Sequence, residues 1–304
     1  MNNIPPKICT YACAYCQLGR TTKMRIERSA FYEPAEILQA VEDKVQQAEK
    51  FGEPIDYLTF VPDGEPTLDL YLGREIELLS SLGIRIAVIT NGSLIWDEDV
   101  KKDLLKADWV SLKIDSTREE AWRKIDRPYG TLRLPSILDG MLQFADDFEG
   151  ELVTETMLVE GINDSADCVG EIADFLTQLG PTTAYLSIPT RPPAEEWGRP
   201  PNEEVINRAY QILSQKVNQA ELLIGYEGDA FAFTGDVEKD LLSITAVHPM
   251  REEAVRQFLT RAQAGWSAVQ RLIAQDKLVK IKHETQTFYM RKLYKNLLPG
   301  DHCE

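Results

Sequence analysis

Two stretches, Ile84-Arg-Ile-Ala-Val-Ile-Thr-Asn-Gly92 and Trp109-Val-Ser-Leu-Lys-Ile-Asp115, flank a helix-like segment at residues 97–106. Each is a short apolar run that stops at polar or glycine positions, the pattern of a buried strand. A strand, an amphipathic helix and a second strand make a βαβ unit, with its two strands parallel. The same order recurs on both sides. Strands are expected at 56–61, 84–89, 109–114, 151–159 and 184–188, and helices at 34–50, 68–82, 97–106, 134–148, 165–179 and 202–219. In the first helix Leu38, Val41, Val45 and Ala48 share a face, with Pro34 in the first turn. Gly83 is placed to stop the second helix, and Asp164 or Ser165 to cap the helix at 165–179. The fold class is α/β. The alternation alone does not separate a parallel β/α barrel from a doubly wound sheet.

The 304 residues carry 49 acidic and 33 basic side chains, a formal net charge of −16. An apolar content of 43% with no long low-complexity run argues against disorder. No apolar stretch approaches the roughly eighteen residues of a membrane span, and Met1 to Lys7 lacks the pattern of a secretory signal. The acidic balance argues against a protein whose whole surface grips nucleic acid, though it leaves room for a local basic patch.

Three of the five cysteines fall within eight residues, Cys9-Thr-Tyr-Ala-Cys13-Ala-Tyr-Cys16, while Cys168 and Cys303 stand alone. An odd, clustered set without a signal peptide reads poorly as a disulfide framework. A metal or cluster site in a reducing cytoplasm fits better. Zinc normally takes four protein ligands, and a fourth would have to come from His248, His283, His302, Cys168 or Cys303, all far away in sequence. A cubane cluster held by three thiolates keeps one iron open for a ligand. Cys168 lies on the apolar side of its helix near Ile172 and Phe175 and reads as core.

The C-x3-C-x2-C spacing, with aromatic Tyr15 just before the last cysteine, resembles the signature of the radical S-adenosylmethionine (SAM) superfamily. The resemblance spans roughly residues 4 to 230. With Cys16-Gln-Leu-Gly-Arg-Thr-Thr22 it is nearest the branch of wyosine-base synthases and, more distantly, glycyl-radical-activating enzymes. It implies a partial (β/α)6 TIM-like barrel. Cys9, Cys13 and Cys16 would ligate a [4Fe-4S] cluster, and SAM would chelate the fourth iron. One electron would cleave SAM to methionine and a 5′-deoxyadenosyl radical that takes hydrogen from a substrate. The electron would come from an external flavodoxin- or ferredoxin-like donor. Only Met1 to Ile8 precedes the cysteine loop, so the first strand is expected to be very short or cut off. Wyosine synthesis is disfavoured, because those relatives carry further cysteines for a second cluster. Glycyl-radical activation and modification of a peptide, RNA or small molecule stay open.

The other motifs fall at expected strand ends, where parallel β/α barrels place their chemistry. Pro62-Asp-Gly-Glu-Pro-Thr67 resembles the superfamily's Gly-Gly-Glu-Pro turn, with Asp63 replacing the first glycine. Gly64 would let the backbone approach closely, Pro66 would stiffen the turn, and the region around Glu65 would face the SAM amino group. Asn91 in Thr90-Asn91-Gly92 would serve SAM or a turn. Ser111, Lys113 and Asp115 alternate onto one face. Polar groups facing a barrel interior need partners or ligands. The resemblance sets Lys113 near the SAM carboxylate and Asp115 near a ribose, and the plainer alternative is a Lys113–Asp115 pair. Glu155 would point inward. Asn163 would contact a ribose, and Ile188 would lay backbone along the adenine. Arg127 and Arg191 are candidates for an anionic substrate group, or else for surface ion pairs.

Composition shifts after about residue 235, giving expected domains at 1–234 and 235–304. Helices at 238–247, 251–263 and 266–275 precede two strands at 277–282 and 286–291, a winged-helix pattern. Residues 271–295 carry a balance of +5, leaving −21 on the rest. This basic wing would position RNA, DNA, a peptide or a protein, or would serve for docking or dimerisation. A winged-helix iron-sulfur redox regulator is the non-enzymatic alternative. It would need neither the Gly-Glu-Pro turn nor Lys113. No membrane partner is expected.

Overall fold

The computed structural model describes residues 1–223, 231, 233–247, 249–283 and 286–292. The chain forms two compact units, Met1–Gly228 and Asp229–Glu304. The first carries, in chain order, β1 (Ile8–Cys9), β2 (Lys23–Met24), α1 (Pro34–Lys50), β3 (Tyr57–Phe60), α2 (Leu72–Ser80), β4 (Arg85–Thr90), α3 (Glu98–Leu104), β5 (Trp109–Lys113), α4 (Glu119–Ile125), α5 (Leu134–Asp147), β6 (Glu151–Met157), α6 (Ala166–Leu179), β7 (Thr183–Ser187), α7 (Glu203–Ser214) and β8 (Ala220–Leu223).

Strands β3 to β8 form one parallel sheet whose spatial order equals their sequence order. A doubly wound sheet reverses direction at a switch point. This one never reverses, so right-handed crossovers place every connecting helix on the same face. That is the winding of a β/α barrel. Among the described residues β3 and β8 do not pair, so the barrel is partial. The strand centres are apolar and sealed: Phe60, Ile86, Val88, Val110, Leu112, Val153 and Leu186 are at most 1% exposed. Each such side chain contributes roughly 1.5–3 kcal/mol by leaving water.

Local signals set most boundaries. Val41, Val45 and Ala48 form the buried stripe of α1. Ser165 caps α6 by accepting from the Cys168 amide, and Gly180 ends it in the left-handed conformation (φ 64°). Four expectations are corrected. The helix expected at 68–82 starts only at Leu72, because Glu65 caps a separate 3-10 turn at Pro66–Leu68. The helix expected at 202–219 stops at Ser214, and β8 follows, its backbone taken up by the open edge of β7. The short α4, whose Ala121, Trp122 and Ile125 are buried, has no counterpart in the sequence reading. Finally, β8 gives the sheet a sixth strand that the apolar pattern did not name. At the β3 edge Met1 pairs, its amino group donating to the Thr59 carbonyl and its own carbonyl accepting from the Val61 amide, in keeping with a very short leading strand.

The second unit holds α8 (Val237–Val247), β9 (Met250–Arg251), α9 (Glu252–Arg261), α10 (Ser267–Ala274), β10 (Leu278–His283) and β11 (Gln286–Arg291). Its strands form an antiparallel sheet in the order β10-β11-β9, so a third short strand joins the expected two. Leu241, Phe258, Val269, Leu272, Leu278 and Tyr289 are its core. His248, Glu284 and Thr285 of the expected turn, and the segment 293–304, with His302 and Cys303, lie outside the described residues.

Glu75 of α2 and Asp69 before it are wholly buried. Burial pushes the Glu75 carboxyl up to about 8, with Asp69 adding to the shift and Asn3 opposing it. Burial pushes Asp69 to about 7, against a hydrogen bond from the Tyr71 amide and the charge of Arg28. Both folded values exceed the unfolded ones, so the folded state holds these protons longer. Stability therefore falls as pH rises from about 4.5 through about 8. Glu75→Gln is expected to unfold like the parent near pH 5 and to be more stable by about 1–3 kcal/mol near pH 8, read by thermal or urea unfolding.

Candidate functional site

The cysteine loop is held by backbone on two sides. On one, the Lys7 amide donates to the Asp63 carbonyl (2.5 Å) and the Glu65 amide to the Ile8 carbonyl (3.1 Å). This approach requires a glycine between them. A Cβ on Gly64 would sit 1.9 Å from the Ile8 oxygen. On the other side the Ala12 and Ala14 amides donate to the carbonyls of Asp126 (3.0 Å) and Ile125 (2.8 Å), and the Tyr129 amide donates to Thr10 (2.8 Å). From β7's loop, the Glu195 amide donates to the Ala14 carbonyl (2.9 Å).

Glu65 is buried and saturated. Oε1 accepts from the Thr67 amide and hydroxyl and the Thr90 hydroxyl, and Oε2 accepts from the Asn91 amide. One carboxylate thus joins the turn after β3 to the end of β4. Asn91 extends the chain of contacts, its amide donating to Thr10 Oγ1 (2.8 Å) and Cys9 Sγ (3.6 Å) while its oxygen accepts from the Ser93 amide. The Ser93 hydroxyl also meets Thr10. Pro66 opens the 3-10 turn, and its carbonyl accepts from Asn3.

A second cluster lies at the ends of β5, β6 and β7. Lys113 pairs with Glu155 at 3.0 Å, its partner in the β5–β6 register, and not with Asp115. Ser187 donates to the same carboxylate. The Lys113 ammonium stands 4.9 Å from the centre of the Tyr15 ring. The Tyr15 hydroxyl donates to Asp115 and lies 3.4 Å from Asp126 Oδ1, which also accepts from Cys13 Sγ (3.5 Å). Asp115 accepts from the Met157 amide as well. Asp126 ends α4, and no motif in the sequence pointed to it. Both amide hydrogens of wholly buried Asn163 are spent on the Asp115 and Met157 carbonyls, and its oxygen accepts from the Val159 amide. It braces the strand end. Ser111 is buried one step up β5, and Ile188 packs partly buried against the core. Cys168 is buried in α6, as expected.

Charge is unevenly shared here. Burial pulls Lys113 down, yet Glu155 and Asp115 outweigh it and hold the amine above its ordinary value. Burial raises Glu155, but Lys113 overcomes it and leaves that carboxyl below the usual range. Burial, then mutual repulsion, pushes the Asp126 carboxyl well up beside Asp115. The Cys9 thiol is pushed to about 12 by burial and Glu65, and Cys13 well up by burial and Asp126.

The donor set fits an iron-sulfur cluster. Cys9, Cys13 and Cys16 are unpaired by disulfides and half-buried on one loop. Cys9 Sγ receives hydrogen bonds from the Tyr11 and Asn91 nitrogens, contacts of the kind that tune cluster sulfurs. Thiols held protonated by burial and acidic neighbours become thiolates only beside strong positive charge, which iron supplies. Among the described residues no three Cys, His, Asp or Glu side chains close around a single ion. Zinc would need that, whereas a cubane gives each cysteine its own iron.

The radical SAM superfamily model matches residues 3–188. The chain is 44% identical over 295 residues to a UPF0026 protein of Methanocaldococcus jannaschii, covering 96% of this chain and 91% of that one. It is 30% identical over 102 residues to the S-adenosylmethionine-dependent nucleotide dehydratase of a Thermoplasmatales archaeon, covering 30% of this chain and 35% of that one. The solved structure of TYW1 with a lysine-pyruvate adduct bound superposes with a TM-score of 0.54 at 18% identity, covering 75% of this chain and 76% of that one. That likeness is one of fold.

Gly64→Ala is expected to destabilise the chain by about 1–3 kcal/mol and to lower its iron and sulfide content after anaerobic reconstitution. Gly170→Ala, where a Cβ meets nothing within 4 Å, should leave cluster loading unchanged and stabilise α6 by about 0.5–1 kcal/mol.

Proposed function

The chain belongs to the radical SAM superfamily, whose members use a [4Fe-4S] cluster and SAM, and we propose that it cleaves SAM reductively to drive hydrogen abstraction from a substrate. One arrangement carries this reading. The three-cysteine loop is clamped between the Gly64–Glu65 turn and the Ile125–Tyr129 segment, at the carboxyl end of a singly wound parallel sheet. Cys9, Cys13 and Cys16 would hold the cluster, leaving one iron for SAM. When bound, cluster and SAM supply an electron and a sulfonium whose cleavage yields methionine and a carbon-centred radical.

The protein's own residues position and shield that chemistry. Glu65 fixes the turn whose backbone faces the cysteine loop. Lys113 stays cationic and would meet the SAM carboxylate in place of Glu155. Asp115, anchored by Tyr15 and the Met157 amide, would orient the nucleoside. The Glu195 amide ties the loop after β7 to Ala14 of the cysteine loop, a contact that would help shield the chemistry from water. An outside one-electron donor, flavodoxin- or ferredoxin-like, completes the scheme.

The second unit is read as a winged-helix-type domain whose basic ribbon engages a peptide, protein or nucleic acid. Three helices and a small antiparallel sheet with Lys280 and Lys282 exposed support that reading. The regulator alternative is disfavoured, since a sensor has no use for Lys113 or the Gly-Glu-Pro turn.

Cluster-loaded protein with dithionite is expected to turn SAM into 5′-deoxyadenosine and methionine, measured by chromatography. Cys13→Ala should give none, and Lys113→Met should weaken SAM binding by about tenfold, or 1.4 kcal/mol. A fully loaded cluster with neither SAM binding nor 5′-deoxyadenosine would overturn the reading.

A further inference from the structure

We infer that Arg20 and Arg127 form a fork for an oxyanion of the substrate, phosphate or carboxylate, and that Glu195 occupies this fork until substrate arrives. The inference rests on the function proposed above and names the substrate class it serves.

Arg127 precedes Pro128 yet has φ 48°, in the left-handed region. A residue before proline is normally driven to extended backbone, and such a conformation costs about 1–3 kcal/mol. Backbone contacts enforce it: the Ala12 amide reaches the Asp126 and Arg127 carbonyls, and Tyr11 bridges to Pro128. The strain aims the guanidinium at Glu195, with Nη1 to Oε1 at 2.5 Å. Arg20 arrives from the segment after Cys16, its Nε 3.2 Å from Oε1 and its Nη2 3.2 Å from Oε2. An exposed ion pair returns only about 0–1 kcal/mol, so the backbone clamp on the cysteine loop, and not the ion pair, holds this conformation.

Two guanidiniums share one carboxylate, so the knot carries a net positive charge. The Glu195 side chain is 15% exposed, against 41% for Arg127 and 74% for Arg20, so an incoming anion reaches the donors from solvent. Arginine forks match the planar oxygens of carboxylate and phosphate. A chain of net charge −16 repels anions in general, so an anionic substrate needs such a spot. Its position suits the chemistry. Glu195 is tied through its amide to Ala14, and Arg127 follows Asp126, which touches Cys13 and Tyr15. Arg191, on the same loop as Glu195, donates to Gln17 beside Cys16 at 2.5 Å.

Trp197, 41% exposed and two residues past Glu195, reports on this loop. Cluster-loaded protein with SAM but no reductant is titrated with pyrophosphate, nucleoside triphosphates and succinate. Trp197 fluorescence is followed, with Trp197→Phe as the blank. Saturable binding is expected, weakened about tenfold in Arg127→Lys and tightened about fivefold in Glu195→Gln, which removes the competing charge but keeps the shape. Phosphate forms binding above succinate assign a phosphate-bearing substrate, and the reverse order a carboxylate. If Arg127→Lys does not fold, the Glu195→Gln gain carries the test. No saturable oxyanion binding, or parental affinity in Glu195→Gln, overturns the proposal. Because no turnover occurs, failure here is separate from failure to cleave SAM.

Discussion

The Ile8 carbonyl needs the space that a side chain at residue 64 would fill. From that contact the rest of the site follows. It brings the Glu65 amide onto the cysteine loop, and it leaves the Glu65 carboxylate free to gather Thr67, Thr90 and Asn91. Asn91 then returns to the loop through Thr10 and Cys9. A single missing methyl group thereby links the ends of two strands to the three-cysteine loop. Backbone hydrogen bonds on both sides and the buried side chains of Ile8, Thr10 and Tyr11 together set the loop's position.

Electrostatics supplies the second constraint. Glu65, Asp115, Asp126 and Glu155 all lie at the carboxyl end of the sheet, with Lys113 as the ammonium among them. Buried carboxylates without matching positive charge hold protons or shift neighbours, and here burial, with Glu65 beside Cys9 and Asp126 beside Cys13, pushes both thiols up. Lys113 keeps its charge because Glu155 and Asp115 outweigh its burial. Farther out, Arg20 and Arg127 supply positive charge at the loop's rim, where an otherwise acidic protein would repel an anion.

The readable parts of the sequence were those governed by neighbours a few residues apart. Apolar runs named five of the six sheet strands, and Pro34, Ser165 and Gly83 marked helix ends. Cysteine spacing and the Asp-Gly-Glu-Pro turn singled out Cys9, Cys13, Cys16, Gly64 and Glu65. Local pattern failed where tertiary contacts overrode propensity. Ala220–Leu223 has a helix-forming composition but pairs with β7, because that edge offers unmatched backbone groups. Asp126 sits in no motif, and only the fold of α4 against the cysteine loop brings it to Cys13.

The sequence by itself determined a parallel α/β chain, a three-thiolate loop and a set of polar residues at strand ends, because periodicity and ligand spacing are short-range properties. The tertiary structure decided the rest. It chose the barrel-like winding, since strand order depends on which edges meet. It gave Lys113 to Glu155 rather than Asp115, because inter-strand register sets that pair. It enclosed Asn163, whose amide braces the ends of two strands. It also bent Arg127 toward Glu195, a residue far along the chain that no local rule could match to it.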